Sequence, residues 1–229
     1  VTIELVGFDA DDTLWHNEDA FRQVEHRFVE LITPHALPGV DVADGLSATE
    51  RANLSVYGYG VKAFGLSMIE AALTLTEGTV PGVVLDELLH LTRDLLEAPV
   101  RLLPNVADVL QQVAEQHRLV LITKGDLIHQ TRKVTTSGLA HHFELVEVVN
   151  EKDPETYEAI IQRLQVKPEQ FCMVGNSVKS DVLPVLAIGG NAVHVPYPMT
   201  WALEHAEPGH FTFAELESIT ELPAWLASQ

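Results

Sequence analysis

The chain has 229 residues, 46% of them hydrophobic and 21% charged, which is enough to bury a substantial core and unlike a disordered chain. Its formal net charge of -19 excludes nucleic-acid binding through a broad basic surface, because such binding neutralises phosphates with Lys and Arg. A single cysteine excludes an intrachain disulfide, and no apolar run reaches membrane-spanning length.

Ile3 to Phe8 is a short, apolar, β-prone run that ends abruptly at Asp9, Asp11 and Asp12, as a buried strand delivering carboxylates to its carboxyl end would. No basic segment precedes this run and Asp9 interrupts it early, unlike a signal peptide, so the expected compartment is the cytoplasm, without a membrane partner. From about 16 to 100 helical periodicity dominates. Phe21, Val24, Phe28 and Leu31 share one helical face, the pairs Ser47/Glu50 and Ser67/Glu70 have capping-box spacing, and 83 to 97 is Leu-rich. Four or so packed helices are expected. Gly58, Gly60 and Gly65 follow no strand and lack the dinucleotide-binding spacing, so they mark a loop between helices. The stretch from Tyr57 to Phe64 suits a substrate-contacting loop, although Tyr57 and Tyr59 read equally well as packing residues.

Strand and helix then alternate. A helix is expected over 104 to 117, and Leu119 to Ile122 forms a strand ending at Thr123. Asp126 is an N-cap for a helix to about 137, and Phe143 to Val149 is a strand ending near Lys152. Asp153, Pro154 and Glu155 open a helix to 165 with an N-cap, a proline at its first position and an acidic first turn. Phe171 to Val174 ends at Gly175-Asn176, Ser177 caps a helix over 178 to 188, and Ala192 to Val195 closes the series. Cys172 lies in an apolar run and belongs to the core. The alternation predicts an α/β fold, a doubly wound parallel sheet with a Rossmann-like core over 1 to 15 and 101 to 229, with an all-helical lobe inserted over 16 to 100. In such sheets ligands bind outside the carboxyl ends of the strands, where Asp9, Thr123, Lys152 and Asn176 fall.

Asp9 and Asp11 lie two apart just past a strand, so extended geometry puts their side chains on one face. Crowded carboxylates call for a bound cation or a retained proton, and an oxygen-only ligand set suits Mg²⁺. A solvated acidic turn is the competing reading. Thr123 is able to hydrogen-bond a phosphoryl oxygen or simply finish a strand, and Lys152 to neutralise an anion or face solvent. Lys124 fits either an anion-holding or a surface role, Lys179 is ambiguous, and the adjacent His141-His142 fit a solvated pair.

The order of these residues at successive strand ends resembles the haloacid dehalogenase-like hydrolase superfamily, over residue 3 to about 195. Asp9-Ala10-Asp11-Asp12-Thr13-Leu14 matches its first motif, Thr123 its second, and Lys152 before Pro154 and Tyr157 its third. The resemblance implies a soluble phosphohydrolase with a helical cap, acting on a small phosphorylated molecule with Mg²⁺ as cofactor. It implies that Asp9 attacks phosphorus to give an aspartyl-phosphate, that Asp11 protonates the leaving oxygen and then deprotonates water, and that Thr123 and Lys152 hold the phosphoryl group; Lys124, next to the second motif, is a further phosphate-binding candidate by position alone. The metal ligands it implies are Asp9, the Asp11 carbonyl and the fourth motif, with Asn176 and Asp181 as candidates. Two positions depart from the pattern: Asn176 stands where Asp is usual, and Asp12, read as facing solvent in preference to orienting a metal-bound water, stands where Gly is usual. A haloacid dehalogenase or a phosphomutase on the same core, and a catalytically inactive binding protein of this fold, are the alternatives. A small signalling receiver fits less well, since its acceptor aspartate follows a later strand.

Overall fold

The computed structural model describes residues 2–199, 201, 204, 206, 209 and 211–229. Six parallel strands form one sheet in the order β3-β2-β1-β4-β5-β6. They are β1 (Leu5–Phe8), β2 (Arg118–Lys124), β3 (Leu145–Val149), β4 (Phe171–Gly175), β5 (Asn191–His194) and β6 (Ala214–Glu215). The chain works outward from β1 to β3 on one side and from β4 to β6 on the other. The direction reverses between β1 and β4, and in sheets of this kind ligands bind at such a switch point, outside the carboxyl ends of the strands. The two-residue β6 is too short to show any periodicity in the sequence.

Both sheet faces are covered, which is why the strands read as continuous apolar runs. Val6, Phe8, Leu119, Leu121, Cys172 and Val174 point into one core with α5 (Val106–Ala114). Leu5, Val120, Ile122, Phe171 and Met173 point into the other with Tyr157, Ile160 and Ile161 of α7 (Pro154–Arg163). Each fully buried Leu, Val, Ile or Phe contributes about 1.5–3 kcal/mol. Gly7 faces the Phe171 ring, and a Cβ there would stand 2.8 Å from the ring edge, so the glycine makes room for this packing. Burial also pushes the Cys172 thiol up, in keeping with a core residue.

The helical unit consists of α1 (Glu18–Ile32), α2 (Val42–Tyr57), α3 (Val61–Leu75) and α4 (Gly82–Glu97) around a core of Phe28, Ile32, Leu46, Phe64, Met68 and Leu88. Neither capping box forms. Ser47 and Ser67 lie inside α2 and α3, whose N-caps are Asp41, accepting the Asp44 N–H, and Gly60. Residues three apart also share a face inside a helix, and Asn53 uses this spacing to reach both Ser67 and Glu70. Gly58 and Gly60 have positive φ in the α2–α3 connection, where Phe64 is buried and Tyr57 is partly exposed.

The chain divides into two compact units. One holds the residues through Glu18, Val100–Lys124 and Gln130–Gln229, the other Asp19–Pro99 and Gly125–His129. The short piece after β2, which opens α6 (Leu127–Thr136), joins the helical unit through close approach of Gly60 to the Asp126 backbone and a 3.0 Å ion pair between Lys62 and Asp126. Asp126 caps α6 by accepting the His129 N–H. No helix among the described residues is long and apolar enough to cross a membrane.

Candidate active site

Asp9 continues the β1–β4 ladder by one residue, its N–H donating to the Val174 carbonyl at 2.9 Å, so its carboxylate stands at the carboxyl end of β1. Thr13 Oγ1 donates to Asp9 Oδ2 at 3.0 Å and Lys152 Nζ to Asp9 Oδ1 at 2.5 Å. The turn that returns Thr13 to Asp9 closes on the Ala10 carbonyl, which accepts from Thr13, Leu14 and Trp15. Lys152, 2% exposed at its side chain, also donates to Asp181 Oδ1 at 2.6 Å. The other Asp181 oxygen accepts the Ser177 N–H, so both oxygens are engaged. Lys152 directly precedes the Asp153 cap of α7, which accepts the Thr156 N–H at 2.8 Å and fixes the backbone that aims the lysine inward. Burial drives the Asp9 carboxyl upward, Lys152 pulls it down, and Asp181 and Asp11 add repulsion. On Lys152 burial is outweighed by Asp181 and Asp9, and the ammonium stays charged.

Asp11 is ordered by three donors: Trp15 Nε1 at 2.6 Å, Lys133 Nζ at 2.5 Å and Gln130 Nε2 at 2.8 Å. Burial alone would raise its pKa, but Lys133, Gln130 and Trp15 together hold it below the usual carboxylate range. Gln130 also donates to the Lys124 carbonyl and to Thr123 Oγ1, coupling Asp11 to the end of β2. The sequence reading missed Lys133, Gln130 and Trp15. Gln130 and Lys133 stand three apart on α6 and are both buried, a pattern a polar helical face disguises.

Asp12 is not the solvent-facing residue expected. It is buried at φ 63°, and its carboxylate accepts the Asn17 N–H at 2.8 Å and the Glu18 N–H at 3.1 Å, capping α1. A left-handed backbone explains why glycine is common at this position in the motif and why Asp, whose short side chain bonds locally, is tolerated. Burial pushes its pKa up to about 8 against those two N–H donors.

One face of the Asn176 amide lies 3.2 Å from Thr13 Oγ1 and 3.3 Å from both Asp9 Oδ2 and the Asp11 carbonyl. With its nitrogen there the amide donates to all three oxygens; with its oxygen there, acceptors converge without a donor among them except Thr13. An octahedral Mg²⁺ with ligands at about 2.1 Å spaces neighbouring oxygens about 3.0 Å apart, close to this arrangement. Among the described residues no group of three or more His, Cys, Asp or Glu side chains forms a metal cluster, so a cation here draws on amide and backbone oxygens.

Thr123 is buried beside Gln130 at the end of β2. Lys124 turns to a separate group, its Nζ lying 2.6 Å from Glu204, 2.9 Å from Ser180 Oγ and 3.3 Å from Glu151. Ser177 caps the turn after β4 by accepting the Ser180 N–H. His141 and His142 lie with their ring centroids 3.9 Å apart and their planes tilted by 39°.

A family model described as haloacid dehalogenase-like hydrolase matches residues 3–189. The glyceraldehyde 3-phosphate phosphatase of Methanothermobacter thermautotrophicus is 29% identical over 132 residues, 55% of this chain and 58% of that protein. The phosphoserine phosphatase of Thermus thermophilus is 34% identical over 82 residues, 34% of this chain and 33% of that protein. The chain thus spans well under two thirds of these curated relatives. A haloacid dehalogenase-like family hydrolase from Xanthomonas campestris has 38% identity and a TM-score of 0.88, covering 99% of this chain and 91% of that one. The L-2-haloacid dehalogenase of Xanthobacter autotrophicus shares the fold at 16% identity, with a TM-score of 0.65 and 100% of both chains covered.

Proposed function

The chain belongs to the haloacid dehalogenase-like hydrolases, and from that premise we propose that it is a Mg²⁺-dependent phosphohydrolase acting on a small phosphorylated molecule through an aspartyl-phosphate on Asp9. The observation that carries this reading is the pairing of a buried carboxylate gripped by Lys152 with a second carboxylate, Asp11, two residues on and held by three donors. The phosphatase names of the two curated relatives support it. Displacing halide from carbon needs no group to protonate an alcohol, so a dehalogenase would leave the Asp11 network without a role.

Asp9 attacks phosphorus in line, forming an oxygen–phosphorus bond as the bond to the leaving oxygen breaks. Thr123 and Lys152 hold the transferring group, and Lys152 remains charged because Asp181 shares it. Asp11 gives a proton to the leaving oxygen and later takes one from the water that releases phosphate. The oxygens of Asp9, the Asp11 carbonyl and the Asn176 amide would hold Mg²⁺, whose positive charge would offset the negative charge of Asp9 and of the phosphoryl group. Asp181 serves as the partner of Lys152, its two oxygens accepting from Lys152 Nζ and the Ser177 N–H. The helical unit acts as the cap that sets substrate choice; the loop expected from Tyr57 to Phe64 is confined to 58–60, between α2 and α3.

Purified protein is expected to hydrolyse p-nitrophenyl phosphate when Mg²⁺ is supplied, to stop on chelation, and to be inactive as Asp9→Asn. Full activity in Asp9→Asn overturns the mechanism, and indifference to chelation overturns the metal. Asn176→Asp should lower the Mg²⁺ concentration needed for half-maximal rate by adding a charge to the ligand set.

A further inference from the structure

Glu204 holds a place that the phosphoryl chemistry does not use. Its Oε1 accepts from Lys124 Nζ at 2.6 Å, and its Oε2 accepts from Ser177 Oγ at 2.6 Å and Ser180 Oγ at 2.5 Å. Both hydroxyls are directed at this carboxylate by bonds on their other side. Ser177 Oγ accepts the Ser180 N–H, and Ser180 Oγ accepts from Lys124, so each hydroxyl proton is left for an anion. The donors stand on fixed elements: Lys124 ends β2 beside Thr123, and Ser177 caps the helical turn Val178–Val182, which carries Ser180 and Asp181. The carboxylate, by contrast, comes from between β5 and β6, where the described residues form no strand.

We propose that Lys124, Ser177 and Ser180 form a carboxylate subsite beside the nucleophile, which Glu204 fills in the free protein and a carboxylate on the phosphorylated substrate takes over. The proposal rests on the phosphohydrolase reading and narrows its substrate to phosphorylated carboxylic acids. The exchange replaces one carboxylate by another, so Lys124 keeps its counter-charge throughout. The two-oxygen bridge from an ammonium to two hydroxyls matches a planar carboxylate, whereas the transferring phosphoryl group has its own donors in Thr123 and Lys152. Burial would raise the Glu204 carboxyl, but Lys124 and the two serines hold it low, so the occupant is an anion.

The test compares phosphoglycolate with ethyl phosphate, which differ by a carboxylate in place of a methyl group. Binding is read by calorimetry with Mg²⁺ in Asp9→Asn protein, where no turnover intervenes. Adding Glu204→Gln should tighten phosphoglycolate about tenfold and ethyl phosphate less than about twofold, because an occupied site lowers apparent affinity by its free fraction. Adding Lys124→Met instead should abolish the difference between the two ligands. Glu204→Asp, which shortens the reach by one methylene, should act in the same direction as Glu204→Gln and decides the matter if the glutamine variant folds poorly. Equal tightening of both ligands would mean that the pocket serves the phosphoryl group, and no tightening of either would make Glu204 a fixed tie; each overturns the proposal. Hydrolysis of both compounds is measured separately with Asp9 intact. Selective binding without turnover overturns the phosphohydrolase reading and leaves the subsite standing.

Discussion

Lys133 donates to the carboxylate of Asp11 at 2.5 Å across 122 positions of sequence, and with Gln130 and Trp15 it stabilises the ionised form. That form suits the step in which Asp11 takes a proton from water; it opposes the step in which Asp11 donates one.

Lys133→Met should therefore raise the pKa of Asp11 and move the high-pH limb of kcat/KM upward for an alkyl phosphate, whose leaving oxygen needs a proton. With p-nitrophenyl phosphate, whose leaving group departs unprotonated, the same limb should stay in place. A limb that stays put with both substrates would assign Lys133 a packing role only.

Lys152 faces two carboxylates inside the core, Asp9 and Asp181. Lys152→Met leaves them together without an ammonium, and removal of one partner from a buried ion group costs about 3–5 kcal/mol. Urea denaturation at neutral pH without Mg²⁺ should show that loss. Adding Asp181→Asn to Lys152→Met should restore part of it by removing the uncompensated charge. A double variant no more stable than Lys152→Met would show that Asp181 and Lys152 do not act as a pair.

Much of this arrangement was legible in the sequence because β1, β2 and β4 are buried on both faces and end abruptly in polar residues. Asp9, Thr123 and Asn176 each sit at such an ending, and so does Lys124, which turns aside to Glu204; Lys152 lies in the connection beyond the half-buried β3. The ordering shell was not legible. Gln130 and Lys133 lie on a helix of mixed polarity, and Glu204 lies in a stretch without periodicity, so only the folded chain brings them to the strand ends. Asp12 was misread for a related reason: a carboxylate after a strand looks solvated until the N–H groups of Asn17 and Glu18 are found pointing at it.

Gly175 ends β4 where the Asp181 side chain crosses it, and an added Cβ would stand 2.2 Å from Asp181 Oδ2. Gly175→Ala must displace that carboxylate from Lys152 and from the Ser177 N–H. Overpacking of this kind costs about 1–3 kcal/mol, and catalysis should fall further than stability because Lys152 loses its partner. Thermal melts and p-nitrophenyl phosphate turnover on the same sample separate the two effects. Unchanged kcat would show that the position of Asp181 is immaterial to Lys152.

Asp12 gives the fold a pH dependence of its own. Burial, opposed by the N–H groups of Glu18 and Asn17, lifts its folded pKa to about 8, against the ordinary 3.8 of an unperturbed Asp. Between those values the folded chain keeps a proton that the unfolded chain releases. The contribution of Asp12 to stability is therefore complete below the unfolded pKa, declines as pH rises through the window and levels off above the folded pKa. Asp12→Asn retains an acceptor for the Asn17 and Glu18 N–H groups and tolerates φ 63°, but has no proton to lose. The melting temperature of the native chain should thus fall relative to Asp12→Asn between about pH 4 and pH 8 and run parallel to it above that range. Parallel curves throughout would mean that Asp12 is ionised in the fold and caps α1 as a carboxylate. Asp12→Ala, which loses the cap and keeps the left-handed strain, should be the least stable of the three, by about 2–3 kcal/mol at pH 6.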